Sequence, residues 1–326
     1  MGIEAELPPA YLSGLAERWL EVIVAPHRKP STWRKYESVI RVHLIPHFGD
    51  VLISSIHRRD VDTFIAHLHK INKSPNTINT ILSALSGLMK TAVSWGYLKK
   101  NPCDGMVWGK PQVSEEFLWF NIEQTEVFLG AVRRLAPEMW RLFFLGFRTG
   151  LRPGELLAAR QGDLDLVGGS IWVQRTATRD GVNLPKGNRK RRVALSRETV
   201  AEMKATRHLN GDLLCPTPAG AMWTHRAMTW RWERCLKGAG LPHCGPHTMR
   251  HSYASQLASA GVPLYAIQKL LGHNRPQETQ RYAHLAPESQ ARWVQALDRP
   301  AQTTGHKQAV GHNLDTGMPA LPNKDR

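Results

Sequence analysis

The stretch HTMRHSYAS, residues 247 to 255, combines residue types that can bind an anion and move a proton. Its apolar pattern predicts a helix, and His247 and Arg250 are three residues apart, so they share a face of the first turn. His247 and His251 have the spacing of a zinc pair, but no glutamate lies between them as in H-E-x-x-H and no carboxylate cluster follows. We therefore expect no metal at this site.

A second stretch, LLGHNRPQETQRYAHL at residues 270 to 285, adds another histidine and a tyrosine. The preceding residues form an amphipathic pattern that Gly272 should end, which leaves His273 just beyond the helix. Tyr282 follows nine positions later. A single tyrosine there would more often be a half-buried packing residue, so its interpretation depends on the residues around it.

A third candidate lies earlier, in TGLRPGELLAAR at residues 149 to 160. Pro153 disfavours helix at Arg152 and suits the first helical position, so the pattern predicts a helix that begins at Pro153. An arginine at the positive end of a helix suits an anionic oxygen. The alternative is that Arg152 pairs with a local acid such as Glu155.

Composition indicates the kind of partner. Lysine and arginine outnumber aspartate and glutamate by 43 to 27, which gives a net charge of +16 and a pI near 10. Such an excess favours a polyanion, although a solubilising surface charge is the alternative. No apolar run approaches the roughly 18 residues of a membrane span and the N-terminus lacks a signal-peptide pattern, so we expect a cytoplasmic protein. The four cysteines have no C-x-x-C spacing and are expected to be reduced thiols.

The length of 326 residues allows two domains with separate cores. From Tyr11 to about Met106 the pattern predicts helices, the clearest with Ser74 as N-cap and Pro75 at its first position. A segment rich in Pro, Gly and Lys at 99 to 112 then interrupts the helical pattern. The predicted divisions are an N-terminal helical domain, a linker, a second domain and a tail expected to be disordered, at residues 1–103, 104–115, 116–298 and 299–326.

The second domain is predicted to be mainly α-helical with a small antiparallel β-sheet. Its first helix follows Asn121, which has capping-box spacing with Gln124. The segments DLDLVGGSIWVQRT and KRRVALS are predicted strands because of their β-branched and aromatic content, and Asp180-Gly181 is a turn signal between them.

One helix of the N-terminal domain has a pattern that suits a DNA backbone. The segment PSTWRKYESVIRVHLIP places Arg34, Lys35 and Arg41 among Trp33 and Tyr36. Basic residues on one helix face can contact phosphates, although a solvated helix face would look similar. We favour the DNA interpretation because the whole chain is basic.

Four motifs stand together in the order and spacing of a known family. They are TGLRPGEL at 149–156, HTMRHSYAS at 247–255, LLGH at 270–273 and RYAHL at 281–285. The segment LPKGNRKRRVALS resembles the hairpin that carries the family's lysine. With these motifs the chain resembles the tyrosine recombinases of the phage integrase family, over about residues 10 to 298 and weakly in the N-terminal part.

Matched position by position, the resemblance implies six catalytic residues: Arg152, Lys186, His247, Arg250, His273 and Tyr282. It implies that the two arginines bind the non-bridging oxygens of a DNA phosphodiester and that Tyr282 attacks phosphorus, forming a 3′-phosphotyrosyl link. Both histidines are available as proton acceptors or hydrogen-bond partners. Lys186 is the expected general acid, with Lys190 as the alternative because ATRDGVNLP is longer than a tight hairpin requires. His251 and Tyr253 are interpreted as helix or packing residues.

The implied fold is a two-domain clamp, with an N-terminal helical, SAM-like core-binding domain and a catalytic domain. The implied function is that of a site-specific recombinase or integrase of a mobile element, which cleaves and rejoins double-stranded DNA as a tetramer without metal or organic cofactor. DNA-bending accessory proteins are further partners of such an enzyme. The alternatives are a type IB topoisomerase, which shares the tyrosine chemistry but assembles no partners, and a catalytically silent DNA-binding protein on the same fold.

Overall fold

The computed structural model describes residues 9–106, 117–185 and 190–287. The N-terminal part folds into helices around one apolar core, as the sequence predicts. Within the described residues, no helix combines the length and the apolar composition that crossing a membrane requires. The main N-terminal helices are α1 (Leu12–Trp19), α2 (Pro30–Val39), α3 (Arg58–Lys70) and α4 (Pro75–Ser94).

Local sequence signals set both ends of α4. The hydroxyl of Ser74 accepts a hydrogen bond from the backbone N–H of Thr77 at 3.3 Å, and Pro75 occupies the first helical position. Gly96 takes a φ of +84° just after the helix ends. These features confirm the prediction for this helix. Its buried face consists of Ile78, Ile81, Leu82, Ala84, Leu85, Leu88, Met89 and Ala92.

Two N-terminal helices contain a π-turn that the sequence analysis did not predict. Helices α1 and α2 continue into these turns, and a proline, Pro26 or Pro46, lies two residues beyond each one. Proline has no N–H to donate and its ring clashes with the carbonyl four residues earlier, so a wider turn accommodates it inside a continuing helix. The π-turns are Leu20–Val24 and Ile40–Leu44.

The C-terminal part forms a second, separate core. Trp232 is fully buried at its centre, with ring centroids 4.3 Å from Phe128 and 5.5 Å from Phe143. The predicted capping box is present, since Asn121 and Gln124 each bind the other's backbone N–H. The helices are α5 (Ile122–Leu135), α6 (Trp140–Thr149), α7 (Pro153–Ala158), α8 (Arg197–Ala205), α9 (His225–Ala239), α10 (Thr248–Ser259), α11 (Leu264–Leu271) and α12 (Gln277–Gln280).

Two small antiparallel sheets interrupt these helices, which confirms the predicted fold class. One sheet has the order β1-β2-β5 with Ile171 opposite Val193, and the other is a hairpin of β3 and β4. The strands are β1 (Leu164–Asp165), β2 (Ser170–Val173), β3 (Thr176–Thr178), β4 (Gly181–Asn183) and β5 (Arg191–Ala194).

The segment ATRDGVNLP, which is longer than a tight hairpin loop requires, is itself partly folded. Thr176 pairs with Asn183 and Thr178 pairs with Gly181, and a turn at Arg179 and Asp180 joins the two strands, one position before the predicted Asp180-Gly181. The extra length therefore forms its own hairpin before the chain reaches β5. Lys186 lies outside the described residues.

An ion pair joins the two parts of the molecule. Both terminal nitrogens of Arg34, on α2, donate to the carboxylate of Asp180 at the β3–β4 turn. Arg41, also predicted to face DNA, donates to Glu37 at 2.9 Å. The DNA contacts suggested for these arginines stay predictions, and the residues already have carboxylate partners in the free protein.

Candidate active site

Arg152 lies where the sequence places it, directly before the first turn of α7. Its backbone N–H donates to Oε2 of Glu155 at 2.9 Å, and its Nη1 donates to Oε1 at 3.0 Å. Pro153 begins the helix, as predicted. Arg152 therefore pairs with the local acid, which is the alternative that the sequence leaves open, and about a quarter of its side chain stays exposed. Its contact with an anionic oxygen stays a prediction.

Glu155 is the buried anchor of this arginine group. Arg191, at the start of β5, donates to both of its oxygens, at 2.9 and 2.7 Å. Burial alone would raise the pKa of Glu155, but the hydrogen bonds and charge of Arg191, together with Arg152, lower it to about 2. The carboxylate is therefore ionised at neutral pH and fixes two guanidinium groups.

Arg250 is buried in the first turn of α10. Its Nη1 donates to the carbonyl of Gly150 at 2.8 Å, and its Nη2 donates to the carbonyl of Leu271 at 2.7 Å. Burial, followed by the nearby charge of Arg152, lowers the pKa of Arg250 to about 9. Two of its five N–H groups are thus used for orientation, and the other three have no hydrogen-bond partner among the described residues.

His247 stands at the N-terminal end of α10, on the same first turn as Arg250. His247 is exposed, whereas Arg250 is buried. Desolvation, then the charges of Arg250 and Arg152, lowers the pKa of His247, and His225 at the start of α9 contributes in the same direction. The imidazole is therefore neutral at pH 7 and can accept a proton.

His273 follows the helix-ending Gly272, whose φ is +67°. Its Nδ1 lies 2.8 Å from the hydroxyl of Thr279, and the side chain is almost fully buried. Burial, followed by the charges of Arg250 and Arg152, lowers the pKa of His273 to about 3. This histidine thus faces the same arginine group as His247.

Tyr282 is 1% exposed and is therefore more deeply buried than the half-buried packing tyrosine considered from the sequence. Its hydroxyl lies 3.0 Å from Nδ1 of His251, and the ring of Phe117 meets it edge-on with centroids 5.1 Å apart. Burial raises the pKa of Tyr282, while the charges of Arg250 and Arg281 act against that rise. The hydroxyl is consequently protonated in the free protein.

Five of the six predicted site residues are described, and their charges act on one another across one cluster. Lys190, the alternative to the undescribed Lys186, is exposed directly before β5. Sequence reasoning missed Arg191 as a partner of Glu155, and its interpretation of His251 as a packing residue omitted the contact with Tyr282. The sequence offers only a weak signal for these two contacts: Arg191 directly follows Lys190, and His251 directly follows Arg250.

Comparison with known families defines the class of protein. The chain matches the Phage integrase family over residues 121–289, and the family's N-terminal SAM-like domain over residues 12–69. The chain therefore belongs to the phage integrase family. It is a tyrosine-type site-specific recombinase with an N-terminal SAM-like domain and a catalytic domain.

Individual relatives agree with this assignment. A XerC-like tyrosine recombinase of Caldanaerobacter subterraneus subsp. tengcongensis is 28% identical, over 91% of this chain and 85% of that protein. The fold resembles that of the Tn1549 transposon integrase in complex with transposon right end DNA, with a TM-score of 0.75, 21% identity, and coverage of 89% of this chain and 100% of that one. It also resembles the lambda integrase tetramer bound to a Holliday junction, with a TM-score of 0.67, 17% identity, and coverage of 84% and 77%. These relatives favour neither the topoisomerase nor the silent DNA-binding alternative.

Proposed function

We propose that the arginine group binds one phosphate of duplex DNA and that Tyr282 attacks its phosphorus. The observation that carries this proposal is the charge balance of the cluster. Arg152 and Arg191 pair with the carboxylate of Glu155, and Arg250 is close enough to feel the charge of both Arg152 and Glu155, so three guanidinium groups share one carboxylate and leave an excess of positive charge for an anion. The net charge of +16 supports a polyanionic substrate as well.

In this proposal Arg152 and Arg250 bind the non-bridging oxygens of the phosphate. Arg250 is oriented by two backbone carbonyls and has N–H groups without a partner among the described residues, and Arg152 is held by Glu155 with about a quarter of its side chain exposed. Donors that are fixed before the reaction stabilise the charge of the transition state without reorganising. Lysine could not reproduce these paired contacts, because its ammonium group lacks the planar fork of donors.

In the proposed reaction, His247 and His273 are the candidate proton acceptors and a lysine is the proton donor. Attack by Tyr282 forms the bond from its oxygen to phosphorus and releases the phenolic proton, for which both neutral histidines are acceptors. The bond from phosphorus to the 5′-oxygen breaks, and this oxygen needs a proton to leave as a hydroxyl. A bound phosphate adds negative charge and raises both histidine pKa values towards the neutral range, where acid–base catalysis is most effective.

Lys186 is the proposed proton donor to the 5′-oxygen, and Lys190 is the alternative. The experiment uses DNA with sulfur in place of the bridging 5′-oxygen, because a thiolate whose acid has a pKa of about 8.5 leaves without protonation. Lys186→Ala should cleave this DNA at the wild-type rate but normal DNA slowly. Rescue of Lys190→Ala instead would assign the role to Lys190, and rescue of neither would remove lysine from the mechanism.

The assembly that we propose is a tetramer on two DNA duplexes in the cytoplasm, where the substrate DNA is found. The proposed domain divisions are residues 1–103, 104–115, 116–298 and 299–326. The segment PESQARWVQALDR, residues 287 to 299, has Ala291, Val294 and Leu297 at helical spacing and is the proposed contact between subunits. Its deletion should weaken pairing of two DNA sites more than binding of one. DNA-bending proteins are the proposed accessory partners.

The covalent link provides the direct test of the function. A pool of nicked duplexes with a randomised core is incubated with the protein, and protein–DNA complexes that survive denaturant are isolated. Proteolysis and mass spectrometry should place the nucleotide on Tyr282, and sequencing of the attached DNA should give one core sequence. Attachment to another residue would overturn the assignment, and absence of any adduct across the pool would overturn the proposed activity.

A further inference from the structure

Thr279, on α12, connects a histidine of the proposed site with the backbone of Tyr282. Its hydroxyl lies 2.8 Å from Nδ1 of His273, and its carbonyl accepts the backbone N–H of Tyr282 at 3.0 Å. Thr279 is 2% exposed and the side chain of His273 is 8% exposed, so solvent has little access to this contact. The chemistry proposed above uses His273 and Tyr282 but assigns no role to Thr279.

The Thr279 hydroxyl can bond to His273 in two ways. A threonine hydroxyl both donates and accepts, and a neutral imidazole carries a hydrogen on one nitrogen and a lone pair on the other. Burial, followed by the charges of neighbouring arginines, lowers the pKa of His273 to about 3, so the ring is neutral at pH 7. The hydroxyl therefore either donates to the lone pair of Nδ1 or accepts from an Nδ1 that carries the hydrogen.

The hydrogen-bond partners of the hydroxyl favour donation to Nδ1. Among the described residues, Nδ1 of His273 is the single hydrogen-bond partner of the Thr279 hydroxyl. If the hydroxyl accepted from Nδ1, its own hydrogen would be buried without an acceptor, which is unfavourable. Donation avoids this loss and leaves the ring hydrogen on Nε2.

The surroundings of Nε2 favour the same arrangement. Oε2 of Glu278 lies 4.0 Å from Nε2 of His273, which is too far for a hydrogen bond but close enough for the negative charge to favour a hydrogen on that nitrogen. The Glu278 side chain is 43% exposed, so solvent screens its charge. Its influence should therefore be weaker than that of the hydrogen bond at Nδ1, and both act in the same direction.

We propose that Thr279 is a positioning residue, which donates its hydroxyl hydrogen to Nδ1 of His273 and thereby keeps the ring hydrogen on Nε2 for an oxygen of the bound phosphate. The tautomer of the free protein does not depend on the proposed function, whereas the contact with phosphate rests on it. A ring that accepts at Nδ1 and donates from Nε2 has no lone pair for the phenolic proton of Tyr282. Of the two candidate proton acceptors, His247 then remains.

The first test determines the tautomer in the free, full-length protein. Nitrogen-15 NMR of histidine-labelled protein at neutral pH distinguishes ring nitrogens that carry a hydrogen from those that do not. The signals of His273 are identified by their absence in His273→Gln. In wild type, Nε2 of His273 should carry the hydrogen and Nδ1 should not. A hydrogen on Nδ1 would overturn the proposal, and this result requires no variant of Thr279.

Variants at Thr279 separate its hydroxyl from its shape. Thr279→Val keeps the shape and the backbone carbonyl but removes the hydroxyl. The ratio of the Nε2–H to the Nδ1–H tautomer should then fall about fivefold, the equivalent of one hydrogen bond of about 1 kcal/mol. Thr279→Ser retains the hydroxyl and should keep the wild-type ratio. Glu278→Gln should lower the ratio less than Thr279→Val does, and the reverse order would overturn the proposal because the carboxylate would then set the tautomer.

Adduct formation at saturating DNA connects the hydroxyl with the reaction. Thr279→Val should form the covalent adduct about two- to fivefold more slowly, because the ring loses the contact that fixes its orientation and its tautomer. Thr279→Ser should react at nearly the wild-type rate. Thr199→Val removes a buried hydroxyl from α8, which lies 2.9 Å from that of Ser196, and is the matched control. It should form the adduct normally, and thermal unfolding reports the stability that each variant loses.

Three results in this assay would decide against a part of the argument. Equal slowing of Thr279→Val and Thr279→Ser, or of Thr279→Val and Thr199→Val, would overturn the proposal, because lost packing or stability would explain it. A wild-type adduct rate in Thr279→Val would also reject Thr279 as a positioning residue. The expected tautomers without an adduct in any protein would retain the hydrogen bond from Thr279 to His273 and reject the proposed function.

Discussion

The proposed phosphate-binding side and the proposed nucleophile side of the site are held in place by different forces. Arg152, Arg191 and Arg250 are fixed by charged hydrogen bonds to Glu155 and by two backbone carbonyls. Tyr282 lies between α12, which has four residues, and a short 3₁₀ turn, and it packs in a small cluster apart from the main core. One side is therefore fixed by charged hydrogen bonds, whereas the other is held by apolar packing and one hydrogen bond in a smaller, separate cluster.

This difference suits the separate tasks of the two sides. Groups that stabilise a developing charge are most effective when they are already in place, because they then need no reorganisation. A nucleophile that waits for the correct substrate is best carried by a segment of low local stability, which opens at small cost. The contrast predicts that changes on the rigid side affect both stability and chemistry, while changes to Tyr282 affect chemistry with little effect on folding.

The largest effect is expected from Tyr282→Phe. Adduct formation should fall by roughly 10⁴- to 10⁶-fold, because the attacking oxygen is lost while the ring still fills the cluster. The melting temperature and DNA affinity should remain near wild type, as measured by thermal unfolding and gel shift. Tyr253→Phe is the matched control and should cleave normally. A large loss of stability in Tyr282→Phe would mean that the hydroxyl contact with His251 contributes more than one ordinary hydrogen bond.

Local sequence signals predicted much of the fold and of the rigid side. The cap at Ser74, the capping box at Asn121 and the helix start after Arg152 are confirmed, because each depends on residues within four positions of one another. The glycine that ends α11, Gly272, is confirmed for the same reason. The spacing of His247 and Arg250 placed them on one helical turn, and that arrangement also needed no long-range information.

Contacts between distant residues could not be predicted from the sequence in the same way. Arg191 binds Glu155 across 36 positions, and His251 meets Tyr282 across 31 positions. Helical periodicity indicates which face is buried but not what lies against it, so the sequence predicts no more than a packing role for His251. The β3–β4 hairpin was missed because its three-residue strands are too short to show an alternating pattern.

The next largest effect is expected from Arg250→Lys. Adduct formation should fall by roughly 10²- to 10³-fold, which is typical of losing one fixed donor to a transition-state oxygen. Stability should fall too, because an ammonium group cannot serve both the Gly150 and Leu271 carbonyls in the geometry of the guanidinium. Arg148→Lys, which alters a surface ion pair on α6, is the control. Equal adduct rates for the two variants would contradict a rigid phosphate clamp.

The stability of the rigid side should depend on acid through Glu155. Its pKa is lowered to about 2 from an ordinary value of 4.5, so its contribution is complete above pH 4.5 and is lost as the pH falls towards 2. The shift corresponds to roughly 3 kcal/mol. Glu155→Gln should therefore unfold more easily than wild type at pH 7, and the difference should shrink below pH 4.5.

Glu126→Gln provides the control for this pH dependence. Glu126 forms an exposed ion pair with Arg148, and such pairs contribute about 0 to 1 kcal/mol. Its removal should change the midpoint of chemical unfolding little at any pH. A difference between wild type and Glu155→Gln that stayed constant from pH 7 to pH 3 would show that the lost stability is packing rather than charge.

The smallest effect is expected from Gly272→Ala. Gly272 lies between the arginine group and the helix that packs beside Tyr282. It ends α11 at a φ of +67°, and a Cβ atom there would lie 2.6 Å from Cδ of Arg191. Gly261, with a φ of +80° and no neighbouring atom within 4 Å of the added Cβ, is the matched control. Gly261→Ala should cost about 1 kcal/mol of unfolding free energy through backbone strain alone, since alanine is unfavourable in the left-handed region.

Gly272→Ala should cost more and should also slow adduct formation, because displacement of Arg191 disturbs Glu155 and thereby Arg152. Equal losses of stability with equal adduct rates would mean that the arginine group adjusts to the added methyl, and the rigid side would then be less constrained than its hydrogen bonds indicate.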